Sequence, residues 1–327
     1  MMDYSNLTIA VIGSGRWGIN HVRTAHQILG SEHVIVCDAS ETARSKVAAV
    51  SPVIRFTTDI EQLLADANVR AVIVATPAET HYAVAKKCLE RGKHVLVEKP
   101  ITLVTGEAKD LIEIAARNNC RLMVGHVLLF HPAVVKLKAM VRDGVIGRLQ
   151  YIYSNRLNLG TIRSEENILW SFAPHDISVI QHLTEKDPVL VEATGAAFLQ
   201  NNIEDTTLTV LEYPGNIHAH IYVSWLHPFK EQRLVVIGDK GMIVFEDSAK
   251  DEKLKFYPKG FQRIEGTLQK FEGDYEVIPF DTAQPLAEEH RHFYESVLSG
   301  TNPLTDGAHA LSVLEILEQA QRRLRNG

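Results

Sequence analysis

Short apolar runs alternate with amphipathic segments along the first 125 residues. Residues 7–12 form a run of aliphatic and β-branched side chains, and residues 71–75 are as uniformly apolar as a strand that is buried on both faces. Between such runs, apolar residues recur at helical spacing. The predicted strands are residues 7–12, 33–37, 53–56, 71–75, 94–97 and 122–125. This alternation favours right-handed crossovers and therefore an open, doubly wound parallel sheet.

The pattern changes near residue 130. A helix is expected to begin at Pro132, and further helices are expected at 174–183, 285–298 and 307–324. From residue 149 onward most segments alternate as antiparallel strands do. These strands are predicted at 149–158, 189–198, 206–213, 217–225, 233–238, 242–246, 253–257 and 275–278.

We therefore predict an α/β chain with two domains, residues 1–125 and 126–327. The second domain is expected to be an α/β domain with a large, mostly antiparallel open sheet that carries helices on one face, and the last helix is expected to pack back on the first domain. Val189, Val191 and Ala193 alternate along one of its strands. They predict a sheet face that a second subunit covers, so we expect a homo-oligomer, either a dimer or a tetramer.

Composition excludes several classes of function. The chain has 327 residues, of which 45% are hydrophobic, and its net charge is −6, so no broad basic field predicts binding to nucleic acid or to an acidic membrane surface. Three cysteines show no metal-ligand spacing, and the scattered histidines show none either. No apolar run reaches the length of a membrane span, and no signal peptide is evident at the beginning. We expect a cytoplasmic protein without a metal.

A glycine-rich loop directly follows the first predicted strand. Gly13-x-Gly15-x-x-Gly18 opens a helix, and each glycine has its own purpose: a tight turn, close approach of the backbone to a pyrophosphate, and close packing of helix on strand. The N–H groups at the beginning of the helix face the phosphates. The first domain is therefore predicted to bind a dinucleotide, with Arg16 and Trp17 beside it.

Asp38 lies twenty residues beyond Gly18, at the end of the second predicted strand. A carboxylate there accepts hydrogen bonds from the adenosine ribose hydroxyls and repels a 2′-phosphate. The prediction is therefore NAD, with NADP the less favoured cofactor.

Two further strand ends carry candidate residues. Thr76 and Pro77 follow the fourth strand, with His81 close behind, and Glu98 and Lys99 end the fifth. Ligands in doubly wound sheets bind at the carboxyl ends of strands, so these residues are expected beside the cofactor. By position alone, Lys99 is equally compatible with an exposed structural lysine.

Taken together, Gly13-x-Gly15-x-x-Gly18, Thr76-Pro77-x-x-x-His81 and Glu98-Lys99-Pro100 resemble the motifs of the Gfo/Idh/MocA oxidoreductase family. The resemblance covers essentially the whole chain. It implies a Rossmann domain that binds nicotinamide dinucleotide, a C-terminal α/β domain, and hydride transfer at a carbohydrate or cyclitol carbon.

The family's catalytic lysine and histidine match Lys99 and His175, the latter at the beginning of a predicted helix. Many members have aspartate four residues before that histidine, whereas this chain has Ser171. A neutral His175 is suited to accept the hydroxyl proton while Lys99 stabilises the alkoxide. Alternatively, Lys99 is itself the base.

Segments 155–160, 169–176 and 224–233 resemble a narrower branch of the family that oxidises the 3-hydroxyl of UDP-linked N-acetylhexosamines such as UDP-N-acetylglucosamine. This branch implies a step in the synthesis of lipopolysaccharide or lipid A precursors. Cationic side chains and amides in the second domain suit a sugar diphosphate. The candidate substrate residues are His126, Arg156, Asn158, Arg163 and Asp176.

Three other functions stay open at this point. One is a dehydrogenase of a free sugar or inositol, and another is a glycosidase that uses NAD transiently. The third is a non-catalytic, cofactor-sensing regulator, against which the presence of both Lys99 and His175 argues.

Overall fold

The computed structural model describes residues 3–326. The chain divides into two compact units: the first comprises the chain up to Val127 together with Ala283–Leu314, and the second comprises Leu128–Thr282 and the chain from Glu315 onward. This division differs from a single boundary after residue 125, because the chain returns to the first unit after Thr282.

The first unit contains the predicted parallel sheet, with six strands in the order β3-β2-β1-β4-β5-β6. Its central strands are buried along nearly their whole length, as their apolar sequences require. The elements are β1 (Thr8–Ile12), α1 (Gly18–Leu29), β2 (Val34–Cys37), α2 (Arg44–Ala48), β3 (Arg55–Thr57), α3 (Ile60–Ala65), β4 (Val69–Val74), α4 (His81–Glu90), β5 (His94–Glu98), α5 (Thr105–Arg117) and β6 (Leu122–Gly125).

The order of the strands reverses between β1 and β4. Both strands end at the same edge of the sheet, with Ile12 paired to Val74. In doubly wound sheets, ligands bind at this reversal. The glycine loop and the segment after β4 therefore flank one crevice of the first unit.

The second unit contains an eight-stranded sheet in the order β16-β13-β12-β11-β7-β10-β9-β8. Within this sheet the β7–β10 pair is parallel and the other described pairs are antiparallel, so the prediction of a mostly antiparallel sheet is confirmed. Its elements are α6 (Pro132–Arg142), β7 (Leu149–Leu159), α7 (Ile168–Thr184), β8 (Leu190–Ala196), β9 (Thr206–Tyr213), β10 (Ile217–Ser224), β11 (Leu226–Gly238), β12 (Met242–Glu246), β13 (Leu254–Tyr257), β14 (Gly260–Ile264), β15 (Thr267–Phe271) and β16 (Glu276–Val277).

Helix α7 begins six residues earlier than the predicted segment 174–183. The Asn167 side chain accepts a hydrogen bond from the Trp170 N–H and caps the helix, and Pro174 lies inside it. The expectation that His175 lies at the beginning of a helix is therefore wrong, because that position is mid-helix. Pro174 does not mark the beginning of this helix, because Asn167 caps the helix seven residues earlier.

A two-stranded sheet, formed by β14 and β15, has no counterpart in the sequence prediction. Most of its residues are exposed, so no alternation of apolar and polar positions marks it. Glu265 and Gly266, both at positive φ, form its turn.

The chain ends with helices α8 (Pro285–Ser299) and α9 (Gly307–Asn326). Helix α8 packs against α1 within the first unit and buries Phe293 and Tyr294 completely. Helix α9 begins in the first unit and ends in the second. Across residues 3–326, no helix combines the length and the apolar character that crossing a membrane demands.

Candidate active site

The glycine loop has a separate steric reason for each glycine. Gly13 has a φ of +88°, and a Cβ there would lie 2.7 Å from the carbonyl oxygen of Ala75; a Cβ on Gly18 would overlap the carbonyl oxygen of Gly13. A Cβ on Gly15 would meet nothing within 4 Å. The loop thus has no room for a side chain at Gly13 and Gly18 but is open at Gly15. This arrangement fits a pyrophosphate against the Gly15 backbone. Trp17 and Arg16 lie in this loop, both exposed.

Asp38 also fastens this loop. Its Oδ2 accepts hydrogen bonds from the Ser14 N–H (2.7 Å) and the Ser14 hydroxyl (2.8 Å), and its Oδ1 accepts one from the Ser40 N–H (2.9 Å). Burial acts to raise the pKa of Asp38, but these hydrogen bonds outweigh it and lower the pKa. A fixed, ionised carboxylate suits ribose hydroxyls and opposes a 2′-phosphate, so the residues fit NAD.

His81 joins the ends of β4 and β5. The two nitrogens of its buried ring lie 2.9 Å from the Thr76 carbonyl oxygen and 2.7 Å from the Pro100 carbonyl oxygen. Pro77 begins the turn into α4, and the Lys99–Pro100 peptide bond is cis. His81 therefore links the backbone at Thr76, after β4, to the backbone at Pro100, next to Lys99.

Glu98 connects the end of β5 to the glycine loop. Its Oε1 accepts a hydrogen bond from the Trp17 indole N–H (2.6 Å) and lies 2.7 Å from His21 Nε2, and its Oε2 accepts one from the Lys99 N–H (3.2 Å). Burial acts to raise the pKa of Glu98, but the contacts with His21 and Trp17 and the charge of Lys99 lower it. Glu98 is thus an ionised, largely buried carboxylate.

Gly125, opposite Glu98 on β6, provides the space for this carboxylate. A Cβ on Gly125 would lie 3.0 Å from a Glu98 carboxylate oxygen. Sequence reasoning missed both Gly125 and His21. The spacing of Trp17 and His21, four residues apart and hence on one helical face, was the available signal.

His126 lies next to β6 and is almost completely buried. Its ring contacts that of His309 edge-to-face, with ring centroids 5.4 Å apart. Burial lowers the pKa of His126 well below its ordinary value, and the charges of His309 and Lys99 act in the same direction. His126 is therefore a neutral imidazole in the electrostatic field of Lys99.

In the second unit, Arg156 and Asp176 form a salt bridge. The Arg156 guanidinium donates to the two Asp176 carboxylate oxygens at 2.8 and 3.0 Å, and the Ser154 hydroxyl donates to the same carboxylate at 2.6 Å. Both side chains are nearly buried. Arg156 and Asp176 thus neutralise each other's charge, whereas the sequence predicts that both residues bind substrate.

The other substrate candidates of the second unit lie on β7 and on the segment that follows it. The Asn158 amide oxygen is buried and has no hydrogen-bond partner among the described residues. Arg163 is half-exposed and pairs with Glu166 at 2.8 Å. His175 lies mid-helix on α7, where its carbonyl oxygen accepts a hydrogen bond from the Ser178 hydroxyl, and Ser171 is buried one turn earlier. Within residues 3–326, no cluster of three or more His, Cys, Asp or Glu side chains is arranged to hold a metal.

Comparison with known proteins identifies both units. Residues 7–126 match the model described as "Oxidoreductase family, NAD-binding Rossmann fold", and residues 134–244 match the "GFO/IDH/MocA C-terminal domain". A scyllo-inositol 2-dehydrogenase (NAD(+)) of Bacillus subtilis is 26% identical over 97% of this chain and 94% of its own. A UDP-N-acetylglucosamine 3-dehydrogenase of Acidithiobacillus ferrooxidans is 32% identical over 62% of each chain. The solved structure of UDP-N-acetylglucosamine 3-dehydrogenase GnnA from Acidithiobacillus ferrooxidans superposes with a TM-score of 0.85 at 25% identity, covering 98% of each chain.

Proposed function

The chain belongs to the Gfo/Idh/MocA oxidoreductase family, and from that premise we propose that it oxidises the 3-hydroxyl of a UDP-linked N-acetylhexosamine such as UDP-N-acetylglucosamine. The general activity follows from the family: the protein is an NAD-dependent oxidoreductase that acts on CH–OH groups. The similarity to GnnA over 98% of both chains carries the choice of substrate.

Bound NAD supplies the hydride acceptor, and the residues of the chain provide for the substrate oxygen and its proton. Lys99 donates a hydrogen bond to the reacting oxygen and stabilises the alkoxide that forms as the C–H bond breaks. His175 accepts the hydroxyl proton, or Lys99 does so itself.

Asn158 supports a polar substrate. Its buried amide oxygen has no partner among the described residues, and such a group is costly unless a ligand or water donates to it. A sugar hydroxyl or an acetamide N–H is a suitable donor. Arg156 and Asp176 contribute by fixing β7 against α7, whereas Arg163 is the more exposed cation available for a diphosphate.

Oxidation of a free inositol is the second candidate. It is favoured by the similarity to scyllo-inositol 2-dehydrogenase over nearly the whole chain. An inositol carries no diphosphate, so exposed cations such as Arg163 would have no role in binding it.

Isotope transfer tests the proposal and separates the two candidates. Purified protein is incubated with NAD and UDP-N-acetylglucosamine carrying deuterium at C3, and the reduced cofactor is analysed by mass spectrometry. We expect deuterated NADH, and unlabelled NADH from the sugar deuterated at C4. NADH formation with scyllo-inositol or myo-inositol but not with any UDP-sugar would instead establish the second candidate.

Lys99→Met is the matched control for that reaction. It removes the ammonium group but leaves Glu98 and the glycine loop in place, so we expect loss of turnover with NAD binding retained. Near-normal turnover would contradict the role of Lys99.

We also propose that the protein is a homo-oligomer assembled through the sheet of the second unit. Exposed apolar side chains near the β8 edge of this sheet support it: Val189 is 70% and Leu208 36% exposed, whereas Val191, which the sequence placed on the same uncovered face, is buried. Analytical ultracentrifugation should show a dimer or tetramer at micromolar concentration, and a monomer would refute the proposal.

A further inference from the structure

A line of buried hydrogen bonds extends from Glu98 away from the substrate chemistry and toward α8. His21 Nδ1 lies 2.8 Å from His290 Nε2, and His290 Nδ1 lies 2.9 Å from the Tyr294 hydroxyl. The two imidazole rings are stacked, with centroids 5.1 Å apart and planes 14° from parallel. His21, His290 and Tyr294 are all completely buried. We call Glu98, His21, His290 and Tyr294 the carboxylate relay.

The ionised end of the carboxylate relay fixes the role of His21 Nε2. Glu98 is ionised and only accepts, so His21 Nε2 carries a proton and donates to it. Burial lowers the pKa of His290 well below its ordinary value, and the charge of His21 acts in the same direction. His290 is thus neutral and carries one ring proton, so one of its nitrogens donates and the other accepts in the bonds to His21 Nδ1 and the Tyr294 hydroxyl. Each ring nitrogen of the two histidines therefore has a hydrogen-bond partner, in a line from Tyr294 to Glu98.

The other ionisable groups around Glu98 preserve this arrangement. Glu289, next to His290 on α8, is completely buried, and neither of its carboxylate oxygens has a hydrogen-bond partner among the described residues. Burial raises the pKa of Glu289 well above its ordinary value, and the charge of Glu98 adds to this. Both effects favour the protonated, neutral form of Glu289. Lys99 is the cation facing Glu98, and His126 beyond it is neutral.

The carboxylate relay therefore ends on two functional segments. The ionised Glu98 accepts from the backbone N–H of Lys99 and from the indole of Trp17 in the glycine loop. Gly125 leaves space for this carboxylate, because a Cβ there would lie 3.0 Å from a Glu98 oxygen. A change in the protonation or position of Glu98 would disturb both segments at once.

We propose that His290 and Tyr294, nearly two hundred residues away in sequence, are positioning residues that act through His21 to keep Glu98 ionised and fixed, and thereby hold Lys99 and Trp17 for hydride transfer. The inference rests on the role of Lys99 in the proposed function. It adds a structural requirement that neither the glycine motif nor the Glu-Lys-Pro motif contains.

Two substitutions at one position test the hydrogen bond between His290 and His21. His290→Phe retains a ring to stack on His21 but removes the hydrogen-bonding nitrogens, whereas His290→Gln retains an amide that can donate or accept at the place of Nε2. We expect kcat to fall about tenfold or more in His290→Phe and to stay within about threefold of wild type in His290→Gln. His94→Gln is the matched control, because His94 lies at the opposite end of β5 and its ring accepts from the Arg121 N–H; it should leave kcat unchanged.

Trp17 provides a readout that does not need a substrate. The chain has three tryptophans, so the indole N–H signals in a ¹H–¹⁵N spectrum are few, and a Trp17→Phe variant assigns the relevant one. In wild type we expect a strongly hydrogen-bonded Trp17 signal that stays constant from about pH 8 to about pH 5. His290→Phe should make this signal depend on pH within that range, and His290→Gln should not. Tyr294→Phe should act in the same direction more weakly, and it carries the test if His290→Phe does not fold.

The outcomes separate this inference from the proposed function. A Trp17 signal and a kcat that are the same in His290→Phe as in wild type would overturn the inference. A shifted Trp17 signal with unchanged kcat would overturn the link to Lys99. If wild type turns over no UDP-sugar while the Trp17 signal still responds to His290→Phe, the proposed substrate is wrong and the carboxylate relay stands.

Discussion

Glu289→Gln is a direct test of the protonation states assigned around Glu98. The amide has nearly the shape of the protonated acid but does not titrate. Because the pKa of Glu289 is raised in the folded chain, the folded state holds a proton that the unfolded state releases above about pH 4.3. Stability from this group is fully present below that pH and is lost as the pH rises toward the folded-state pKa.

The size of the effect follows from linkage. Each pH unit over which only the folded state is protonated lowers the free energy of unfolding of wild type by about 1.4 kcal/mol. Below about pH 6.5, the buried histidines make the free energy of unfolding increase with pH. They do so equally in wild type and in Glu289→Gln. The difference between Glu289→Gln and wild type should therefore be small near pH 5 and should favour the variant increasingly as the pH rises.

Urea unfolding, followed by fluorescence at several pH values between about 5 and 8.5, measures this difference. Glu288→Gln is the control: Glu288 lies on the same helix, is 37% exposed and pairs with Arg291, so we expect an offset that does not vary with pH. If the difference in the free energy of unfolding between Glu289→Gln and wild type is also independent of pH, then Glu289 is ionised in the folded protein. That result would refute the assigned charges.

Three other substitutions test separate contacts. Gly18→Ala should abolish NAD binding in a titration followed by fluorescence, because its Cβ would overlap the carbonyl oxygen of Gly13; retained affinity would contradict the tight turn. Asp38→Asn should weaken NAD binding by about tenfold and reduce the preference of the protein for NAD over NADP, since the charge that opposes a 2′-phosphate is lost. Unchanged affinities for both cofactors would contradict this role of Asp38. Asp176→Asn should destabilise the second unit by about 3–5 kcal/mol, because Arg156 keeps a buried charge without its counter-ion; an unfolding midpoint equal to wild type would show that the pair is not buried in solution.

Local patterns predicted much of the first unit. A few adjacent residues specify each of its main features, which are the six parallel strands, the glycine loop and the strand end that carries Lys99. The right-handed crossovers that such alternation favours predicted a doubly wound parallel sheet, but not the order of its strands. The prediction of a doubly wound sheet was therefore confirmed.

The carboxylate relay could not be predicted in this way. Glu98 and His290 come together only because α8 packs against α1, and no periodicity in the sequence specifies which late helix covers which early one. The partnership of Arg156 with Asp176 is similar, since each residue alone suits a substrate contact equally well. The beginning of α7 was misplaced for a local reason: Pro174 is a stronger signal in sequence than the Asn167 cap.

The return of the chain to the first unit at Ala283 has a consequence for its biosynthesis. About 155 residues separate Val127 from Ala283, and a ribosome needs roughly 8–30 s to add them. During that interval the first unit lacks α8, so His21 has no His290 to contact and the outer face of α1 is uncovered. The nascent cofactor domain thus stays unfinished until the second unit has been synthesised, and removal of the end of the chain would damage the part of the protein that was made first.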